Sequence, residues 1–157
     1  KKNIKEAWRA SELLKEDKKI ALVSDAGTPG ISDPGSYLVQ KINEAMPEVK
    51  IESVPGPSAL TTALSIAGIP IFDFVFLGFL PHKKGRETLF KEIAISERVM
   101  IFYESPHRIL KTLESLQKYL GVSPLKKIII ARELTKIHEE VVSGTSAELL
   151  DYFEKNK

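Results

Sequence analysis

Ser24-Asp25-Ala26-Gly27-Thr28-Pro29-Gly30-Ile31-Ser32-Asp33-Pro34-Gly35 follows directly on the apolar run Ile20-Ala21-Leu22-Val23. Three glycines and two prolines in twelve residues rule out ordinary helix or strand, since Gly loses backbone entropy on ordering and Pro lacks a donor. The stretch is a shaped loop. The apolar run before it, with β-branched members and an acidic residue at its end, predicts a buried strand that delivers its carboxyl end to a site. In open parallel sheets, ligands sit at that edge.

Working outward, Asn3 and Glu6 have the spacing of a capping box, and Ile4, Ala7, Trp8, Ser11 and Leu14 recur at helical spacing. On the other side, Asp33 is placed to cap a helix with Pro34 at its first position. Leu38, Val39, Ile42, Ala45 and Met46 form one face of that helix, and Pro47 ends it. The unit then repeats. Residues 49–54 predict a second strand, Pro55-Gly56-Pro57 a turn, and Ser58 the cap of a helix that Gly68 stops. Both turns are expected on the same edge of one parallel sheet.

Near residues 68–73 the pattern changes to extended chain, and a domain boundary is placed between residues 71 and 72. Residues 74–79 predict an aromatic-rich strand. A cationic turn with Lys83, Lys84 and Arg86 follows, then a helix marked by Leu89, Phe90, Ile93 and Ala94. Residues 99–103 predict a strand. Ser105 and Pro106 then suit the N-cap and first position of a helix whose Ile109, Leu110, Leu113, Leu116 and Leu120 face the core, stopped by Gly121. A strand is expected over 127–131, followed by a segment, 132–140, too charged for a core strand. Thr145 and Glu148 form a capping box for a last helix bearing Leu149, Leu150 and Phe153. The fold class is α/β.

Composition narrows the function classes. With 157 residues, 43% of them apolar, the chain can build a packed core, and a net charge of +2 does not mark a nucleic-acid binder by itself. The absence of cysteine excludes disulfides and thiolate metal sites, and His82, His107 and His138 have no metal-ligand spacing, so no metal is expected. No run approaches the ~18 apolar residues of a membrane span, and the Lys-Lys-Asn start is not a secretory signal, so a cytoplasmic protein without membrane association is expected. The chain opens without methionine, in a helical pattern, as a fragment would.

Each candidate segment has a plain structural reading beside its functional one. Asp25 can accept hydrogen bonds from ribose hydroxyls or a ligand amine, while the glycines admit a ligand close to the backbone; alternatively they only make a turn. The stretch is not a phosphate loop, having neither Gly-Lys-Ser/Thr nor Gly-x-Gly-x-x-Gly. The Pro55 to Ala59 turn offers backbone N–H groups at a helix start, or simply rigidity. Lys83, Lys84 and Arg86 can grip phosphate or form a solvated charge run. His107 and Arg108 lie just inside a helix start, where an anion can bind, or are ordinary surface residues. Arg132, Glu133, Lys136, His138 and Glu139 suit either a cleft or an ion-pair network.

Taken in order, the 24–35 loop, Val54-Pro55-Gly56-Pro57-Ser58-Ala59-Leu60, Gly78-Phe79-Leu80-Pro81, Phe102-Tyr103-Glu104-Ser105-Pro106-His107-Arg108 and Arg132-Glu133-Leu134-Thr135-Lys136-x-His138-Glu139 resemble one family. It is the ribosomal small-subunit RNA (cytidine-2'-O-) methyltransferase family of the tetrapyrrole methylase superfamily, and the resemblance covers nearly the whole chain.

The resemblance implies a two-domain α/β enzyme with S-adenosylmethionine bound between its domains. Residues 1–71 are then the remainder of an N-terminal parallel α/β domain carrying cofactor loops, and residues 72–157 a C-terminal mixed-sheet α/β domain. It further implies methyl transfer to the ribose 2'-oxygen of a cytidine in small-subunit ribosomal RNA, and a homodimer. The implied cofactor contacts are Ser24, Asp25, Ala26, Gly27, Thr28, Ile31, Ser58 and Ala59, joined by Glu104, Arg132 and Leu134 from the second domain. Lys83, Lys84, Arg86, His107, Arg108 and Lys136, with His138, are the RNA-side candidates. Glu104, Glu133, His138 and Glu139 are the candidate acceptors of the hydroxyl proton, none singled out. The family's opening Pro-Thr-Pro-Ile-Gly-Asn-Leu wall and its final strand are absent, so weak cofactor binding, inactivity in isolation or association through the gap is expected. Two other readings remain open: a small-molecule tetrapyrrole methyltransferase, and a non-catalytic binding or assembly module.

Overall fold

The computed structural model describes residues 2–33, 35–121 and 126–156, with side chains of the first helix described from Trp8 onward. The chain divides into two compact units, Lys1–Ala59 and Leu60–Lys157. The expected boundary at residues 71 and 72 falls within the second unit.

The first unit contains α1 (Lys2–Lys15) and α2 (Gly35–Ala45), which pack on each other. Because α1 already includes Lys2, Asn3 lies inside the helix and cannot cap it, a cap needing non-helical backbone. Trp8, expected on the packed face, is largely exposed, and Ala10 is buried instead. Ile42 and Met46 of the α2 face are buried as their spacing requires, whereas Ala45 is exposed. The placement of Pro34 at the first helical position lies outside the described residues.

Neither expected strand of this unit forms. Residues 18–24 and 50–58 run without any ladder, and Val23 and Val54 are 82% and 89% exposed. Apolar, β-branched composition gives a preference for extended backbone, but a strand exists only through a hydrogen-bonded neighbour. Among the described residues these two runs have none, so the expected shared edge of one parallel sheet is absent.

Helix α3 (Ala59–Ile66) starts on the last residue of the first unit and runs into the second, ended by Gly68 in a left-handed conformation. Strands β1 (Phe74–Phe79) and β2 (Val99–Tyr103) pair in parallel, with α4 (Arg86–Ile95) as the crossover between them. Register runs from Phe74 opposite Val99 to Phe76 opposite Ile101, then shifts so that Phe79 meets Tyr103. Gly78, at a φ of 63°, supplies the backbone geometry for that shift.

A single 3-10 turn (Pro106–Arg108) leads into α5 (Ile109–Leu120), which Gly121 ends. Strands β3 (Ile128–Arg132) and β4 (Glu140–Gly144) are antiparallel, and α6 (Ser146–Lys155) closes the unit behind a capping box in which Thr145 and Glu148 satisfy each other's backbone N–H. Among the described residues the unit therefore holds two two-stranded sheets, one parallel and one antiparallel.

The core of this unit gathers Leu80, Phe90, Ile93, Leu113, Leu116, Leu149 and Phe153, with Leu77, Met100, Phe102, Ile128, Ile130 and Val142 of the strands packed against it. Helical spacing put Leu113 and Leu116 of α5 on the inward face, and both are buried. Lys126 ties the far end of α4: its ammonium donates to the carbonyls of Ala94 at 2.5 Å and Ser96 at 2.7 Å, where a cation favours the helix's negative end.

Candidate functional site

The 24–35 loop is closed on itself. The Ser24 hydroxyl bonds the Asp33 carboxylate and lies 3.0 Å from the Ala26 carbonyl oxygen. Gly30 has a φ of 83°, and a Cβ on Gly35 would sit 2.9 Å from the Leu22 side chain and 3.2 Å from the Gly30 nitrogen. The two glycines thus let the loop fold back on its own backbone. What the loop presents outward is Asp25, Ala26, Gly27 and Thr28, all exposed. Asp25 has no hydrogen-bond or ion-pair partner among the described residues. Pro29, Gly30 and Ile31 also face Ser36, Val39, Gln40, Asn43 and Glu44 of α2 across an open cleft of about 560 Å³. Ile31 is the one expected cofactor contact that lines it.

In the second unit the structure brings three of the expected site residues together and adds one that sequence reading missed. Ser105 accepts a hydrogen bond from the His107 N–H at 3.3 Å, and with Pro106 starts the 3-10 turn that puts Arg108 one turn beyond Glu104. One oxygen of Glu104 lies 2.5 Å from Arg108 Nη2 and accepts the Ser105 N–H at 2.8 Å. The other accepts the Thr112 hydroxyl at 2.6 Å and lies 3.7 Å from Arg86 Nη1. Arg86 in turn donates to Thr112 Oγ1 at 2.7 Å and to the Pro81 carbonyl at 3.2 Å, while Arg108 donates to the Leu80 carbonyl at 3.2 Å.

The Glu104 side chain is 5% exposed and Thr112 fully buried. A buried carboxylate is tolerated only when charge and hydrogen bonds compensate its lost hydration, and here both oxygens are occupied. The cluster ties the Gly78 to Pro81 motif to the Glu104 to Arg108 motif. Thr112 was legible in one respect: it stands four residues after Arg108 as a polar residue on the apolar face of α5, beside Leu113 and Leu116.

The segment joining β3 to β4 is an ion-pair network. Arg132 bonds Glu140 and lies over the Phe153 ring at 5.3 Å; Lys136 is 3.1 Å from Glu133; the Thr135 N–H donates to Glu139 at 2.5 Å. The Tyr152 hydroxyl first, and Arg132 second, hold the Glu140 carboxyl below its usual range. Glu133 and Thr135 both adopt left-handed backbone, at φ of 52° and 67°. Of the four non-glycine residues with positive φ among the described residues, these two and Ser32 at 56° fall in the segments singled out from sequence, and strained backbone is often found at functional sites. His138 and Ile137 are exposed at the turn, and Leu134 is half-buried.

The remaining candidates are spread along the surface. Lys83, Lys84, His107 and Ala59 are exposed and Ser58 is half-buried. Among the described residues no helix is long and apolar enough to cross a membrane.

The family model for tetrapyrrole (corrin/porphyrin) methylases matches residues 1–150. The chain belongs to that family. Its relatives in the family are specific: the chain is 47% identical, over all of its 157 residues, to a Thermotoga maritima protein named ribosomal RNA small subunit methyltransferase I. Proteins of the same name from Synechocystis and Escherichia coli O157:H7 are 45% and 46% identical over 94% and 92% of this chain. The chain spans 67% of the first relative's length, 53% of the second's and 49% of the third's. The α/β character of the second unit, with its parallel β1–α4–β2 arrangement, agrees with the family's expected fold.

Proposed function

We propose that this chain forms part of a methyltransferase that uses S-adenosylmethionine to methylate the ribose 2'-oxygen of a cytidine in small-subunit ribosomal RNA, acting as a cytoplasmic homodimer. The observation that carries the reading is the 47% identity, over the whole chain, to a relative named for ribosomal RNA methylation. Residues 1–71 then contribute the cofactor loops and residues 72–157 the acceptor side.

The residues present suit such a cofactor. Asp25 is exposed and unpartnered among the described residues, an acceptor for ribose hydroxyls or an ammonium group, and a Cβ added at Gly27 would meet nothing within 4 Å, leaving the backbone open to approach. Ser24, Ala26, Thr28, Ile31, Ser58 and Ala59 are the other contacts proposed in the first unit, and the family resemblance adds Arg132 and Leu134. The bound group would supply an electrophilic methyl.

What falls to the protein is alignment of the attacking oxygen, worth on the order of 7 to 11 kcal/mol in favourable systems, and removal of its proton. Four groups were candidates for the proton. Glu104 has both oxygens engaged and is assigned to holding the wall of the site, which is also how it acts toward the cofactor. Glu133 is paired with Lys136, and Glu139 accepts a backbone N–H. His138 is exposed and free of such partners among the described residues, and is the group assigned to take the proton. Lys83, Lys84, His107 and Lys136 are assigned to phosphates; Arg86 and Arg108, largely committed to Glu104, support them from beneath.

Incubation with methyl-labelled S-adenosylmethionine, small ribosomal subunits and a tetrapyrrole precursor tests the reading. Label in RNA, recovered as 2'-O-methylcytidine after nuclease digestion, is the expected result. Label in the tetrapyrrole, or in neither acceptor, overturns it.

A further inference from the structure

Between the first turn of α4 and the middle of α5 lies a groove of about 230 Å³, lined by Lys83, Arg86, Glu87, Phe90, Ser115, Lys118 and Tyr119. It is several times the ~30 Å³ that a water occupies in the liquid. Among its lining residues, Arg86 has its guanidinium 4.8 Å from the Phe90 ring and half-buried in a cluster that sets two guanidiniums against one carboxylate. That cluster therefore carries residual positive charge.

The rim is cationic. Lys41, Lys50, Lys91, Lys136 and Lys155 each sit within 4 Å of a carboxylate. Lys83 and Lys118 have no such partner among the described residues; Lys118 rests 5.0 Å from the Tyr119 ring. Lys84 beside Lys83, and Lys111 one turn before Ser115, are likewise unpaired and extend the cationic line, at helical spacing along α5. One acid, Glu87, shares the groove; its carboxylate is held chiefly by the Tyr119 hydroxyl and by Lys91 at 3.3 Å, with a smaller attraction from Lys118, so it offsets only part of the cationic charge around it. Ser115 donates to the Lys111 carbonyl at 2.7 Å and so contributes no free donor. The α4 N-terminus opens here without a side-chain cap, adding its partial positive charge to that of the lysines.

We propose that this groove seats a backbone phosphate of the RNA substrate, gripped by Lys83 and Lys118 beside Arg86, with Lys84 and Lys111 steering the adjoining phosphates. The proposal rests on the RNA reading above and extends it to Lys111 and Lys118, which no sequence motif marked. Lysine suits this role because it meets phosphate as a point charge and carries no base preference.

The test is binding of small-subunit ribosomal RNA to the full chain, followed by anisotropy across a salt series, for wild type and a Lys83→Gln/Lys118→Gln double variant. Both side chains are exposed, so the variant should keep its fold, checked by its melting temperature. Loss of two phosphate contacts should flatten the slope of log K against log salt by about 1.4 to 1.8. Lys155→Gln on α6 should leave it unchanged. An unchanged slope in the double variant overturns the groove alone, whereas absence of RNA binding by the wild type overturns the RNA reading and the groove with it. Lysine acetylation read by mass spectrometry separates the phosphate sources: RNA should protect Lys83 and Lys118, and protection by inorganic phosphate without protection by RNA overturns the proposal.

Discussion

In the 24–35 loop, Asp25 stands exposed and unpartnered among the described residues, on a backbone that two glycines fold tightly; at the end of β2, Glu104 is buried with every oxygen occupied by arginine, threonine and backbone. Both carboxylates follow apolar runs, and both were candidate site residues. Their surroundings give them opposite roles. An exposed carboxylate costs the fold little and remains free to meet a ligand, while a buried one must be fully compensated and thereby becomes a strut.

The largest way to break this contrast is Glu104→Ala. Removing the carboxylate leaves Arg108 and Arg86 half-buried without their counter-charge, and urea unfolding should show a loss of about 3 to 5 kcal/mol. A loss below about 1 kcal/mol would mean that the cluster is not a strut. Next comes Gly35→Ala, whose Cβ would press on Leu22 and on the Gly30 nitrogen. It should cost about 1 to 3 kcal/mol and lower cofactor affinity by displacing the loop, with calorimetry reading both.

Smaller again is Thr145→Ala, which removes the hydroxyl half of the α6 capping box, at about 1 kcal/mol. The same helix predicts a pH response. The backbone N–H and hydroxyl of Thr145 hold the Glu148 carboxyl below its ordinary 4.5, and Glu140 is likewise lowered, by Tyr152 and then Arg132. A carboxyl whose pKa is lower folded than unfolded stabilises fully above the unfolded value and loses that contribution as pH falls through the folded one. Stability should thus decline as pH drops below about 4.5, and Glu148→Gln should flatten that decline in acid melting curves. The smallest stability effect belongs to Asp25→Ala, within about 0.5 kcal/mol, accompanied by the largest loss of cofactor binding. A stability loss as large as that of Glu104→Ala would erase the distinction between the two carboxylates.

How far the sequence could be read differed in the same way between the regions. Helical spacing, caps and Gly stops located α2, α4, α5 and α6 within a few residues, because those signals act within one or two turns of chain. β1 and β2 were legible as short apolar runs. The strands expected at 20–23 and 49–54 were not borne out, because composition sets a preference while pairing requires a partner. β4 is not legible in sequence for a related reason: Val141 and Val142 sit between Glu140 and Ser143, too short and polar to stand out until β3 is laid beside them.

By itself the sequence determined the order of motifs, the loop chemistry around Asp25 and Gly30, and the family to which the chain belongs. Only tertiary structure decided which charged residues are engaged. Arg86 and Lys83 stand three residues apart in one cationic run, yet Arg86 is drawn inward to Glu104 and Thr112 while Lys83 stays on the surface. Thr112 and Lys118, unmarked in the sequence, complete the clusters around Arg86. The physical reason is that a charge's role follows from its distance to other charges and to water. Contacts between residues 26 positions apart, such as Arg86 with Thr112, set that distance.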